Sequence, residues 1–336
     1  MIIAVDAMGG DFAPDQIVKG AAHAADHFGI NVVLIGDEIE IAECLPGKHS
    51  GSKRITIRHT TEKIEMGENA AAVRTKKDAS VVVAADMVKN GEADAMVSVG
   101  NTAAAMTVAT LKLGRIEGID KPAIATVWPS KSGPVVMLDA GAVVDCGPEN
   151  LEEFAVMGSV YSEKVLNIKN PRVGLLSVGE EKCKGNNVTK RAYEAIEKSG
   201  LQFVGNVEGR DLFTGICDVL VTDGFSGNIA LKTGEGIVEY VSNVIKEDLK
   251  SHPFAWIPLV LLTPMFRRIK KKLDYSEYGG APLLGLNGVC IIGHGRSNAR
   301  AVTNAVRAAR DAVNGDIVGT IKSAIFEMEK KISTSV

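Results

Sequence analysis

Four turns in this sequence place glycine beside groups that bind anions. The first, Ser98-Val99-Gly100-Asn101-Thr102-Ala103, follows an apolar run and opens a helical one. Free backbone N–H groups at a helix start attract anions, glycine admits a ligand closely, and Thr102 adds a hydroxyl. An N-cap by Asn101 or Thr102 would use the same residues without any ligand. The second, Val178-Gly179-Glu180-Glu181-Lys182-Cys183-Lys184-Gly185-Asn186, mixes two carboxylates and two lysines in a glycine-bounded loop. Lys182 or Lys184 can meet a phosphate oxygen there; the plainer alternative is a solvated surface loop. The third is Val221-Thr222-Asp223-Gly224-Phe225-Ser226-Gly227-Asn228. A nucleophile elbow needs glycine where Asn228 stands. Asp223 also precedes Ser226, so a triad with His294 has the wrong order for a hydrolase of that kind, and polar lining for a ligand is the better reading. The fourth, Ile292-Gly293-His294-Gly295-Arg296-Ser297-Asn298, sets a histidine and an arginine between glycines. Histidine can donate to a carbonyl or phosphate, and arginine chelates phosphate with a planar fork; a capped turn with His294 bonded to backbone is the alternative.

Phosphate handling is therefore the chemistry these turns suggest. His294, Arg296 and Lys184 are the candidate catalytic residues. Ser98, Gly100, Asn101, Thr102, Lys182, Asp223, Ser226 and Asn228 are the candidate substrate-binding residues. The turns are expected to gather at one rim of a sheet, since ligands of open α/β sheets bind at the carboxyl ends of strands. Asp6-Ala7-Met8-Gly9-Gly10-Asp11 closes the first strand but lacks the dinucleotide pattern GxGxxG, and Gly47-Lys48 is followed by His49 rather than completing a phosphate-binding P-loop. His23, His27, His49, His59 and His252 are taken to lack metal-ligand spacing. No metal and no cofactor are expected.

The elements that must position these turns are short apolar runs, each followed by a helix-like stretch. Strands are predicted at 1–6, 31–36, 55–59, 94–99, 123–127, 134–139, 172–178, 201–206, 217–222 and 288–293. Runs such as Val32-Val33-Leu34-Ile35 are apolar throughout, as in parallel strands buried on both faces. Helical spacing in 148–168 sets Leu151, Phe154, Ala155, Val156, Tyr161 and Val165 on one face, with Pro148 at the first turn. A second helix is predicted over 296–314. Alternating strands and helices predict a three-layer α/β/α sandwich. The chain reads as one catalytic domain over 1–336, with any subdivision near 130–150, and with 237–273 as a protruding helical tip.

Composition is that of an ordinary globular chain: 46% hydrophobic and 24% charged residues. A formal charge of −3 argues against nucleic acid as a partner. The five cysteines are odd in number and form no CxxC pair, which suits buried thiols in a reducing cytosol. The start, Met1-Ile-Ile-Ala-Val-Asp6, lacks the basic residues and cleavage site of a signal peptide. One stretch breaks the α/β pattern. Phe254-Ala-Trp256-Ile257-Pro258-Leu259-Val260-Leu261-Leu262-Thr-Pro264-Met265-Phe266 is too short to span a bilayer. Arg267-Arg268-Ile269-Lys270-Lys271-Lys272 follows at once. Aromatic and aliphatic residues beside a basic cluster suit a membrane interface, with Phe254, Trp256, Ile257, Leu261, Leu262, Arg267 and Lys271 as the contacts. Each basic residue near an anionic leaflet contributes about 1 kcal/mol. A dimer interface would bury the same apolar residues.

Six motifs, taken in order, resemble the PlsX family of acyl-carrier-protein:phosphate acyltransferases of bacterial phospholipid synthesis. They are Asp6-Ala-Met-Gly-Gly-Asp11, Gly100-Asn101-Thr102, Gly179-Glu-Glu, Gly205-Asn-Val-Glu-Gly-Arg-Asp211, Asp223-Gly-Phe-Ser-Gly-Asn228 and Asp274-Tyr-Ser-Glu-Tyr-Gly-Gly-Ala-Pro-Leu-Leu-Gly285. The chain departs from the family where it reads Asp139-Ala-Gly-Ala-Val143 rather than Asp-Val-Gly-Ala-Asn, and it lacks an Asn often found near Ser177 and Val178. The resemblance implies an isopropylmalate dehydrogenase-like fold and a homodimer. It implies a cytoplasmic enzyme held peripherally on the inner face of the membrane. The substrates would be acyl carrier protein thioester and inorganic phosphate, and the acyl phosphate would pass to a membrane glycerol-3-phosphate acyltransferase. Direct attack of phosphate is the expected mechanism, with a covalent acyl-enzyme as the minor alternative. Rival readings are a phosphotransacetylase using acyl-CoA, a hydroxy-acid dehydrogenase, and a non-catalytic membrane scaffold.

Overall fold

In the computed structural model, which describes residues 1–45, 47, 52–251 and 279–334, eleven strands join into one sheet of order β3-β2-β1-β4-β11-β10-β5-β6-β9-β7-β8. The strands are β1 (Ile2–Asp6), β2 (Asn31–Gly36), β3 (Ile55–His59), β4 (Ala95–Ser98), β5 (Ala123–Pro129), β6 (Pro134–Leu138), β7 (Arg172–Leu176), β8 (Gln202–Val207), β9 (Val219–Val221), β10 (Ala281–Leu284) and β11 (Val289–Ile292). Ten of them lie within or against the predicted apolar runs. The eleventh, β10, has no counterpart among them: it is four residues long and contains Pro282, which lacks a ladder N–H and argues against an interior strand.

The helices are α1 (Asp15–Phe28), α2 (Glu38–Cys44), α3 (Ser80–Lys89), α4 (Thr102–Leu113), α5 (Pro148–Lys164), α6 (Asn187–Lys198), α7 (Gly224–Ser251), α8 (Ala299–Asn314) and α9 (Ile317–Thr334). Alternate strand residues serve opposite faces, as the strand pleat requires. Ile3, Val5, Val136 and Leu138 join a core covered by α1, α5, α6, α8 and α9. Ala4, Val135 and Met137 join the opposite core, under α3 and α4. This is the expected three-layer arrangement. Within α5 the predicted stripe holds: Leu151, Phe154, Ala155, Val156 and Tyr161 are buried.

Strand direction departs from the expectation of a simple parallel sheet. β3, β2, β1, β4 and β11 are mutually parallel. β6, β9, β7 and β8 are mutually parallel too. Between the two groups the pairs β11–β10, β10–β5 and β5–β6 are each antiparallel. An odd number of reversals leaves the two parallel groups running in opposite senses. The turns that follow β1, β4 and β11 therefore lie at one rim, and those that follow β6, β7 and β9 lie at the other. The single rim expected from the sequence is corrected to two.

The entry ends of β7 and β9 are fastened by Arg172. Its Nε and Nη2 donate to the two carboxylate oxygens of Asp218 at 3.0 and 2.9 Å, and its own amide donates to Asp218 at 2.9 Å. Burial pushes the Asp218 pKa up, but the Arg172 bonds outweigh it and hold the carboxyl below its ordinary value. α7 leaves the sheet with an exposed apolar face that includes Ile237, Tyr240, Val241 and Val244. The predicted membrane contacts Phe254, Trp256, Ile257, Leu261, Leu262, Arg267 and Lys271 lie outside the described residues. No helix among the described residues is long and apolar enough to cross a membrane.

Candidate functional site

At the first rim the turns after β1, β4 and β11 pack directly on one another. Gly9 and Gly100 approach so closely that a Cβ on Gly9 would lie 2.9 Å from the Gly100 Cα. Asp11 N–H donates to the Gly295 carbonyl at 2.8 Å. Beneath them Asp6 is buried and accepts from Ser80 Oγ at 2.6 Å and Ser98 Oγ at 2.7 Å. Burial drives the Asp6 pKa up, against the pull of those hydroxyls and of the Met8 and Gly9 amides. Ser98 also accepts from the Gly100 amide at 3.3 Å, so its hydroxyl serves Asp6 and the turn. Asn101 caps α4 by accepting from Ala104 N–H at 3.0 Å, and its Nδ2 ties down the carbonyls of Glu65, Met66 and Glu68. Thr102 opens α4. His294 accepts from the Arg296 amide at 3.1 Å through Nδ1, while its carbonyl accepts from Ser297 Oγ. Arg296 is exposed, and its guanidinium has no hydrogen bond or ion pair among the described residues.

The second rim holds a cavity of about 360 Å³. Leu151, Leu175 and Leu176 form its apolar wall; Ser177, Asn186, Thr189, Thr222, Asp223 and Ser226 form its polar wall, with Val178 and Gly185 between. Asp223 and Ser226, both predicted, are here. Asp223 accepts from the Ser226 amide at 2.8 Å and from its hydroxyl at 2.9 Å, which closes the first turn of α7. Asn228 stands one turn further along, against Gly141. Asn186 caps α6 by accepting from Thr189 N–H at 2.9 Å. The chain can enter that cap because Gly185 adopts φ +98°, a left-handed conformation that side chains with a Cβ resist.

The two lysines of the 177–186 loop behave differently. Lys182 binds Glu197 at 2.6 Å and lies over the Tyr193 ring, 4.9 Å from its centroid. Lys184 folds back over Gly179, and its ammonium has no ion pair among the described residues. The loop also exposes Cys183.

Beside the cavity, Asp139 organises the turn after β6. It is buried, with one oxygen accepting from the amides of Ile124, Gly141 and Ala142 and the other from Val143 at 2.7 Å. Burial raises its pKa, opposed by those four amides. Asp139 grips residue 143 by its backbone amide, a contact that valine makes as asparagine would. The Val143 carbonyl in turn accepts from Gly224 N–H at 2.9 Å, joining this turn to the start of α7.

The structure thus groups Ser98, Gly100, Asn101 and Thr102 with His294 and Arg296, and groups Lys184 and Lys182 with Asp223, Ser226 and Asn228. The expected catalytic set of His294, Arg296 and Lys184 is divided between the rims. Residue reading missed the leucine wall, Thr222 and the hydroxyl of Ser177 because they sit in or just after stretches that read as packing alone, and missed Thr189 because it reads as one polar residue of a helix start. The expectation about histidine spacing also needs correction. His23 and His27 stand one turn apart on α1 with ring centroids 5.6 Å apart, a spacing at which two imidazoles can share an ion. No group of three or more metal-ligating side chains occurs among the described residues.

Comparison with known proteins adds an independent line. The family model described as fatty acid synthesis protein matches residues 1–319. The phosphate acyltransferase of Pelotomaculum thermopropionicum is 51% identical over 332 residues, covering 98% of this chain and 97% of its own. That of Desulforudis audaxviator is 48% identical over 335 residues, covering 98% of each. Among solved structures, a phosphotransacetylase from Streptococcus pyogenes aligns with a TM-score of 0.63 at 19% identity, covering 93% of this chain and 94% of that one. A 4-hydroxythreonine-4-phosphate dehydrogenase from Klebsiella pneumoniae aligns with a TM-score of 0.53 at 14% identity, covering 93% and 99%. These two structural likenesses concern the fold alone.

Proposed function

The chain belongs to the family described as fatty acid synthesis protein, the PlsX phosphate acyltransferases, and from that premise we propose that it transfers an acyl group from acyl carrier protein to inorganic phosphate at the second rim. The observation that carries this placement is the cavity of about 360 Å³ with leucines on one wall and hydroxyls and a helix start on the other, next in sequence to Lys184. An acyl thioester needs an apolar wall for its chain, and phosphate needs amides and a cation.

One phosphate oxygen attacks the thioester carbonyl carbon. A C–O bond forms as the C–S bond breaks, and the carrier sulfur leaves with the bonding pair. A thiol has a pKa of about 8.5, so the departing thiolate needs little acid help and takes its proton from solvent. The protein's work is positioning and charge stabilisation. Lys184 and the first amides of α6 hold the anion; Leu151, Leu175 and Leu176 take the first carbons of the acyl chain; Asp223 fixes the start of α7, which Ser226 and Asn228 share. Apart from the exposed Cys183, no thiol is poised to compete as a nucleophile: burial pushes Cys44 up, Cys146 up to about 11, and Cys217 and Cys290 up to about 12.

A second placement of phosphate, at Gly100 and Arg296, is favoured by the exposed Arg296 guanidinium, which has no partner among the described residues. Incubation of the protein with acyl carrier protein thioester and labelled phosphate tests both. Wild-type protein should release acyl phosphate, and Lys184→Ala should raise the phosphate KM about tenfold or more while Arg296→Ala changes it less than about threefold, a tenfold change corresponding to about 1.4 kcal/mol. The reverse ranking moves the reaction to the first rim, and no acyl phosphate refutes the activity.

The reading extends to partners. A homodimer and reversible docking on the membrane are supported by the exposed apolar face of α7 and by the aromatic and basic sequence that follows it. Docking would place the product beside a membrane glycerol-3-phosphate acyltransferase. Replacing Trp256 and Leu261 together with glutamate should abolish sedimentation with anionic liposomes and leave activity in solution intact; undiminished sedimentation would remove the membrane role.

A further inference from the structure

We propose that Ser177 is a phosphate-binding residue, its hydroxyl donating to an oxygen of the anion at the start of α6. The proposal rests on the acyltransferase reading above and names a contact that reading does not require. Four hydroxyl side chains belong to the cavity wall. Three are occupied: Thr189 Oγ1 donates to the Asn186 carbonyl at 3.1 Å, Thr222 Oγ1 to the Asp223 carbonyl at 3.2 Å, and Ser226 Oγ to the Asp223 carboxylate at 2.9 Å. The fourth, Ser177 Oγ, is sealed from solvent and has no partner. Buried hydroxyls are bonded in the great majority of proteins, so an orphan of this kind calls for a reason.

Its position supplies one. Ser177 is the first residue beyond β7, and its amide is fixed to the Val207 carbonyl at 2.9 Å. The side chain stands against Gly185, where an added Cβ would lie 3.1 Å from Oγ. Gly185 leads directly into the Asn186 cap of α6, a helix of 12 residues. The first amides of a helix lack carbonyls one turn back, and they carry the positive end of its dipole. Asn186 occupies the Thr189 amide and leaves the amides of Asn187 and Val188 to other acceptors. Lys184 brings an ammonium on the same loop that has no ion pair among the described residues. To meet an anion in the cavity the Ser177 hydroxyl turns about χ1 to another staggered position. A small tetrahedral anion there would accept from a hydroxyl, two amides and a cation, which is the donor set phosphate requires. A thioester carbonyl has one oxygen and no charge, and fits that set poorly.

Ser177→Ala and Ser177→Thr separate this role from a structural one. The wild type and both variants would be titrated with inorganic phosphate by calorimetry, and assayed against phosphate at saturating acyl carrier protein thioester. Ser177→Ala should weaken phosphate binding and raise the phosphate KM about tenfold, with the KM for the acyl carrier unchanged. Ser177→Thr, which keeps the donor, should stay within about threefold of wild type. Because no hydrogen bond is lost, the Tm of Ser177→Ala should equal or exceed that of wild type. Unchanged phosphate binding in Ser177→Ala would overturn the proposal, as would a fall in kcat alone, which would put the hydroxyl on the carbonyl oxygen. A lowered Tm would mark Ser177 as structural and overturn it too. If the wild type binds phosphate but makes no acyl phosphate, the activity reading fails while the calorimetry still decides on Ser177.

Discussion

Asp6 and Asp139 occupy matching places, each buried at or just past the end of a strand and each followed by a glycine-bearing turn that it holds by amides or hydroxyls. Buried acids of this kind organise the turns at both rims. Glu153 on α5 is a third, and the one whose titration reaches the neutral range. It is 7% exposed, and its Oε2 accepts from the Asp120 amide at 3.1 Å. Burial, with the nearby Asp120 charge, pushes its pKa up to about 7, against the Asp120 and Lys121 amides and the Asn150 side chain. The folded protein therefore binds a proton that the unfolded chain gives up near 4.5. That contribution to stability is complete below the unfolded value and is lost as pH rises towards about 7. Allowing for solvent at the carboxyl, the loss is about 1–2 kcal/mol. Glu153→Gln keeps the acceptor for Asp120 and removes the charge. Its Tm should exceed wild type by about 1.5–3 °C at pH 8 and nearly match it at pH 5; equal Tm at both values would show that Glu153 is not protonated in the fold. None of this was legible in sequence, which sets Glu149, Glu152 and Glu153 near the start of a helix without showing which of them the fold buries.

Elements were far more legible than their directions. Apolar runs such as Val32-Val33-Leu34-Ile35 mark strands because burial on both faces requires them, and Pro148 marks the start of α5 because its missing N–H costs nothing there. The sense of each strand depends on connections that leave no local trace. The run at 134–139 reads like the others, yet the turn at Ser130–Gly133 folds it back as the second arm of a hairpin. The 177–186 loop was legible as a charged turn, but only its fold separates Lys182, paired with Glu197, from Lys184, which is not. The same loop exposes Cys183, whereas Cys217 and Cys290 are buried. A thiol-specific maleimide should label Cys183 first, with Cys217 and Cys290 reacting only after denaturation. The bulky adduct should slow acyl transfer, and excess phosphate should protect against both labelling and loss. Labelling at Cys183 without any change in activity would detach this loop from the site.

On the scale of the molecule, three antiparallel pairings at the centre of the sheet decide what can work together. They set the tightly packed glycine turns of Asp6, Gly100 and Arg296 at one rim and the cavity of Ser177, Asn186 and Asp223 at the other. Sequence supplied Gly100, Arg296 and Asp223 and the family they belong to, but not Ser177. It could not assign them to rims, because β10 was hidden by its brevity and its proline. The first rim, with its short amide contacts and its buried carboxylate, has the character of a packed junction. The second has room for a substrate. Phosphate diffused into crystals of the protein tests this division most directly. The account predicts tetrahedral density at the start of α6, within hydrogen-bond distance of Ser177, Lys184 and the Asn187 and Val188 amides; density confined to the Gly100 and Arg296 turns, with the cavity empty, would contradict it.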